Sequence, residues 1–140
     1  MATPNYTPAE FRSILNGWGH RTRTIADGPD FPISYDNSPL TDALSVEAIK
    51  KFQREYQLND DGIVGPNTRN MAAKVVSNLQ LELNSCANAN LPSNQPFYGP
   101  LTTEAVKKFQ RKINVPQDGV ASRSLRVKLY NLFKSGACPV

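Results

Sequence analysis

The chain has 140 residues, of which 39% are hydrophobic and 20% charged, with 11 prolines; this excludes a disordered or fibrous chain and fits one domain or two very small ones. No apolar run approaches the ~20 residues of a membrane span. Charge is uneven: residues 101–140 hold eight Lys/Arg against two Asp/Glu, and residues 1–100 eight against ten, so the C-terminal part either suits polyanions or is a solvated basic face.

The first six residues, Met1 to Tyr6, have neither the basic nor the apolar region of a signal peptide. Thr7-Pro8-Ala9-Glu10 then reads as a capping box with Pro at the first helical position. Phe11, Ile14, Leu15 and Trp18 form the apolar stripe of that helix, and Gly17 and Gly19 are expected to end it. Residues 20–43 read as loop, with Asp27-Gly28-Pro29, Pro32 and Pro39, and with Phe31 and Tyr35 as expected anchors. A second helix is predicted with Ser45 as N-cap, Glu47 in its first turn, and Ala48, Ile49, Phe52 and Tyr56 on one face.

Asp61-Gly62 is a turn signal, followed by the β-like pair Ile63-Val64. A long helix opens at Gly65-Pro66-Asn67-Thr68 and runs to about Asn84, with Met71, Ala72, Val75, Val76, Leu79 and Leu83 in its stripe. Residues 85–100, with Pro92, Pro96 and Gly99-Pro100, read as a second loop. Thr102 is the expected cap of the next helix, with Glu104 in its first turn and Ala105, Val106, Phe109 and Ile113 facing inward. Asp118-Gly119 repeats the turn and Val120-Ala121 the β-like pair. Leu125, Leu129, Leu132 and Phe133 mark a last helix ending near Gly136.

These elements contain an internal repeat. A shift of 57 places Leu44-Ser-Val-Glu-Ala-Ile-Lys-Lys-Phe-Gln-Arg54 on Leu101-Thr-Thr-Glu-Ala-Val-Lys-Lys-Phe-Gln-Arg111, identical at eight of eleven positions. The match continues from Asp61-Gly62-Ile63 to Asp118-Gly119-Val120.

At Glu-Ala-Ile-Lys-Lys-Phe-Gln (47–53), Asp-Gly-Ile-Val-Gly-Pro-Asn-Thr (61–68) and their second copies, the sequence resembles the peptidoglycan-binding domain family. The resemblance implies an all-α fold built from two fused three-helix repeats with short Asp-Gly turns and long loops. Copy one lacks the family's Gly-Pro-x-Thr before its Phe-Gln helix, and copy two lacks it after the turn, where it reads Ala121-Ser-Arg-Ser-Leu125. Val76-Ser-Asn-Leu79-Gln80-Leu-Glu-Leu83 resembles the family's first helix, so the helix at about 67–84 is expected to close one repeat and open the next. The repeats are then residues 1–84 and 76–140.

The resemblance also implies a shallow ligand groove near each Phe-Gln helix and Asp-Gly turn. Its matching residues are Gln53, Tyr56, Asp61 and Gly62 in copy one, and Tyr98, Gln110, Asp118 and Gly119 in copy two. Amide, hydroxyl and aromatic groups are what sugar and stem-peptide recognition uses. Each also has an ordinary structural explanation: turn chemistry for Asp-Gly, core for Tyr56, helix surface for Gln.

Catalysis is not expected. His20 is the single histidine, too few for a zinc amidase site. Cys86 and Cys138 stand in no catalytic cysteine signature, and Glu47 and Glu104 are explained by their helices rather than as a glycosidase pair. No metal or cofactor is implied. Cys86 follows the long helix and Cys138 the last one, so both are expected at one end of the bundle. A bridge there would close about 50 residues, worth roughly 4 kcal/mol in the chain-entropy model; the alternative is two thiols in a reducing compartment.

The expected function is non-catalytic binding of peptidoglycan, holding the protein or a wall enzyme or envelope partner to the wall, in a periplasmic, wall-associated or extracellular location, with a cytoplasmic one left open by the absence of a visible signal peptide. A protein-interaction scaffold with the same fold is the alternative. Nucleic-acid binding through Lys107, Lys108, Arg111, Lys112, Arg123 and Arg126 is a more distant one.

Overall fold

The first helix starts from a cap at Thr7. In a computed structural model describing residues 4–24, 28–92 and 94–139, its hydroxyl accepts from the Glu10 amide while the Glu10 carboxylate accepts from the Thr7 amide. This closes the expected capping box on α1 (Pro8–Gly17). Four further helices follow: α2 (Ala43–Glu55), α3 (Pro66–Cys86), α4 (Pro100–Lys112) and α5 (Arg123–Ser135). No strand forms among the described residues, and Ile63-Val64 and Val120-Ala121 are connecting backbone. Met1 to Thr3, and Asp27 of the Asp-Gly-Pro turn, lie outside the described residues.

Two predicted helix starts move. α2 is capped by Asp42, whose carboxylate accepts from the Ser45 amide, and α4 begins at Pro100 after Gly99. Glu47 and Glu104 therefore lie beyond the first turn, where Glu47 pairs with Arg54 and Glu104 with Lys107. Ser45 and Thr102 are buried instead of capping. Their hydroxyls accept from the preceding helix: Ser45 from Arg12 Nε at 3.2 Å, Thr102 from Gln80 Nε2 at 3.2 Å.

Arg12 and Gln80 thus do equivalent work. Arg12, only 2% exposed, donates to the carbonyls of Asp36, Ser38 and Pro39 and to the Asp42 carboxylate. Gln80 donates to the carbonyls of Gln95 and Phe97. A buried guanidinium survives only when its donors are used, and here they tie the end of a long loop to the helix below it. Phe31 anchors that loop as expected, whereas Tyr35 is 72% exposed. Gly17 is needed for packing as well as for the helix end: a Cβ there would lie 2.5 Å from the Tyr98 ring.

The core is continuous through all five helices, joining Phe11 and Trp18 of α1, Phe52 of α2, Val76 and Leu83 of α3, Phe109 of α4 and Leu129 of α5. α3 packs against both α4 and α5. α3 and α5 run in the same direction. Arg126, in the first turn of α5, pairs with Glu55 at the end of α2, and Cys86, the last residue of α3, forms a disulfide with Cys138 beyond α5, their Cα atoms 4.7 Å apart.

Two consequences can be measured. Phe109→Ala, at a fully buried site, should cost about 3–5 kcal/mol in urea unfolding while leaving one cooperative transition. Reduction of the disulfide, which spans 52 residues, should remove about 4 kcal/mol in the chain-entropy model without changing the helical content at 25 °C.

Candidate ligand-binding groove

Each Phe-Gln helix presents its glutamine inward, and the amide fixes the turn that follows. Gln53 is 1% exposed and Gln110 3%. Gln53 Nε2 donates to Asp61 Oδ1 at 3.1 Å, to the Ile63 carbonyl at 3.0 Å and to the Thr68 hydroxyl at 3.1 Å, while its Oε1 accepts from the Gly62 amide at 3.0 Å. Gln110 repeats this with Asp118 Oδ1 at 2.7 Å, the Val120 carbonyl at 3.2 Å and the Gly119 amide at 3.0 Å. The same aspartate oxygens also accept from the amides two residues on, Ile63 and Val120. That is an Asx turn, and in both copies the residue inside it takes a positive φ, which glycine adopts without strain. Gly62 and Gly119 supply +72° and +74°, and a Cβ on either would come within 3 Å of Val46 or Thr103.

The eight residues predicted to meet a ligand are therefore brought together mainly with one another. Tyr98 is 2% exposed, and its hydroxyl donates to the Gly119 carbonyl. In copy two, Tyr98, Gln110, Asp118 and Gly119 form one hydrogen-bonded unit in which only Asp118 is exposed. Tyr98 and Gln110 shape the turn from beneath rather than offering a free ring or amide, since their polar atoms are spent inside. In copy one, Asp61 is likewise the exposed member and Gln53 and Gly62 are interior. Tyr56 leaves that group: its hydroxyl accepts from Trp18 Nε1 at 2.6 Å and from Arg126 at 3.1 Å.

Around the second latch lies a groove of about 280 Å³. Its lining combines buried Gln110 with apolar Ile113, Val115 and Pro116 and with polar Asp118, Ser122 and Lys128. Val115, Pro116, Asp118 and Lys128 are exposed. Such a mixture suits a ligand with both carbon faces and hydroxyl or amide groups.

The family model for a peptidoglycan binding domain matches twice, over residues 35–71 and 73–129. The chain belongs to the peptidoglycan-binding domain family. Together the matches cover about two thirds of it, and they meet at Ala72, inside α3. No curated protein and no solved structure gave a significant match. The second match contains the whole groove and ends at Leu129, within α5.

A second concavity of this peptidoglycan-binding fold lies at the seam between the repeats, with a volume of about 370 Å³. One wall is the Glu55–Arg126 pair, which includes His20 at 3.2 Å from Glu55 and the Trp18 ring 4.7 Å from the Arg126 guanidinium. Burial alone would raise the Glu55 carboxyl, but hydrogen bonds from His20 and Arg126 hold it down at about 2. Across the cleft, burial lifts the Glu82 carboxyl to about 7. Sequence patterning did not single out Glu82, which sits in an amphipathic helix like any surface glutamate. Arg126, expected on a solvated basic face, is drawn inward by Glu55. Among the described residues, no group of three or more His, Cys, Asp or Glu side chains is arranged to hold a metal ion.

The folded Glu55 carboxyl, near 2, lies below its ordinary 4.5, so its contribution is present above pH 4.5 and is lost as pH falls toward 2. Urea unfolding at pH 7 and at pH 2.5, followed by circular dichroism, should therefore show a larger loss of stability on acidification in the wild type than in a Glu55→Gln, Arg126→Gln double variant, the two proteins converging at the lower pH. In the latches, Gln110→Ala leaves the buried Gly119 amide unpaired and should cost about 1–3 kcal/mol.

Proposed function

We propose that this protein binds bacterial cell-wall peptidoglycan without cleaving it, and that the groove of the second repeat is the contact surface. The observation that carries this is the coincidence of the family's second match with the groove formed at the Gln110–Asp118–Gly119 latch. The apolar side at Val115 and Pro116 accommodates a carbon face of a sugar or stem peptide, and Asp118, Ser122 and Lys128 supply its polar partners. Tyr98, Gln110 and Gly119 act from beneath, as positioning residues for that surface. In copy one the corresponding latch of Gln53, Asp61 and Gly62 sets the start of α3 and serves structure more than binding.

The two repeats, residues 1–84 and 76–140, work as one body with α3 common to both. On this reading the protein holds itself, or an attached wall enzyme or envelope partner, at the wall in a periplasmic or wall-associated location. No helix among the described residues is long and apolar enough to cross a membrane. A nucleic-acid reading loses one of its six cations, because Arg126 is committed to Glu55, Tyr56 and Trp18.

Co-sedimentation with purified sacculi tests the proposal. Val115→Glu with Lys128→Glu alters two exposed groove residues and should weaken binding by at least about tenfold, with Tm within a few degrees of wild type. Soluble muropeptides should compete, and the pure protein should release none from sacculi. Undiminished binding by the double variant would remove the groove from the account. Failure of the wild type to bind sacculi at low salt would leave a protein-interaction scaffold as the better reading.

A further inference from the structure

The seam cleft has a polarity that the groove lacks. α3 lines it with Val75, Asn78, Leu79 and Glu82 and α5 with Arg123, Arg126, Val127 and Tyr130, two stripes of the same helical spacing; with the C-terminal ends of the two helices joined by the disulfide, this register assigns Val75 and Arg123 to one end of the cleft and Glu82 and Tyr130 to the other. The floor between them is apolar, formed by Trp18, Leu79 and Val127. Val127 and Tyr130 are about half exposed, so the cleft is open to solvent.

Neither of its two outer charges is satisfied from within. Among the described residues, Glu82 and Arg123 have no hydrogen-bond or ion-pair partner, although both line the cleft. Lys134 stacks over the Tyr130 ring at 5.9 Å rather than pairing with Glu82. The other two charges, Glu55 and Arg126, neutralise each other. Arg123 also opposes its helix, because it is the first residue of α5, where unpaired amides make the dipole positive. A cation at the Glu82 end would find a complementary carboxylate, and an anion at the Arg123 end a complementary side chain and helix terminus.

The spacing fixes the size of such a ligand. Seven residues separate Val75 from Glu82, and at 1.5 Å rise per residue the two ends are about 10 Å apart. An extended peptide of about three residues spans the same distance.

We infer that the seam cleft is a second binding site, distinct from the groove, for a short zwitterionic peptide: its free ammonium sits between Glu82 and Tyr130, its side chains cover Leu79 and Val127, and its terminal carboxylate meets Arg123. Burial that lifts the empty Glu82 carboxyl to about 7 is relieved when an ammonium arrives. The inference does not rest on the groove being the wall-binding surface.

Trp18 is the single tryptophan and lines the cleft, so its fluorescence reports occupancy. Trialanine is titrated into the full chain at pH 8, beside N-acetyl-trialanine and trialanine amide, with amide chemical shifts recorded in parallel. Saturable binding is expected, with shifts concentrated at residues 75–82 and 123–130. Blocking either terminus, or making Glu82→Gln or Arg123→Gln, should weaken it about tenfold. Both substitutions are at partly or fully exposed positions and should leave the circular dichroism spectrum unchanged. The groove variant Val115→Glu, Lys128→Glu should retain trialanine binding whether or not it binds sacculi. Equal binding of free and blocked peptides, no saturable response to trialanine, or shifts centred elsewhere would overturn the assignment.

Discussion

A buried glutamine amide closing an Asp-Gly turn is the interaction on which this fold depends. A primary amide carries donors and an acceptor on one rigid plane, and Gln53 and Gln110 use both sides at once. Each gives N–H to an aspartate oxygen and a carbonyl and takes the glycine N–H in return. One side chain thereby satisfies the exposed backbone of a sharp reversal and fixes where the next helix starts. Lysine or leucine at these positions would leave a buried glycine amide unpaired. Where the chain enters a Phe-Gln helix, the same problem is solved by other means, with Gln80 in one repeat and Arg12 in the other holding loop carbonyls and a buried hydroxyl.

Much of this was legible in the sequence because the fold is written in short-range patterns. The capping box at Thr7, the stripes of α1 to α5 and the paired Asp-Gly turns are local features whose physics does not depend on what packs against them. The Cys86–Cys138 bridge followed from two helix ends expected at one side of the bundle, and a disulfide joins them. Ser45 and Thr102 misled as caps for an instructive reason. A hydroxyl before an apolar run fits an N-cap and a buried hydrogen-bond acceptor equally well, and only the chain upstream decides between them.

The site was less legible. Sequence matching named residues most of which the fold does bring together, but could not tell which way their polar atoms point. Tyr98 and Gln110 belong to the latch in the interior, while Val115, Pro116 and Lys128, which form the accessible surface, carry no motif. The seam cleft was invisible because it depends on the parallel placement of α3 and α5, residues about fifty apart in the chain. Tyr56 shows the same effect in one residue. Its position in the repeat matches Ile113 of the groove, yet a hydroxyl in reach of Trp18 and Arg126 recruits it to the seam.

The two repeats have diverged in what they offer, although they keep the same latch. The second carries an open groove beside its turn, and the first contributes its α2 terminus to the seam. The central claim is that wall material is held at the second turn, over Gln110. Amide chemical-shift mapping with soluble muropeptides prepared from purified sacculi tests it most directly. The account predicts saturable shifts at residues 113–128, with those at residues 56–68 of the first turn little changed. Shifts confined to the first turn, or none at saturating muropeptide, would contradict it.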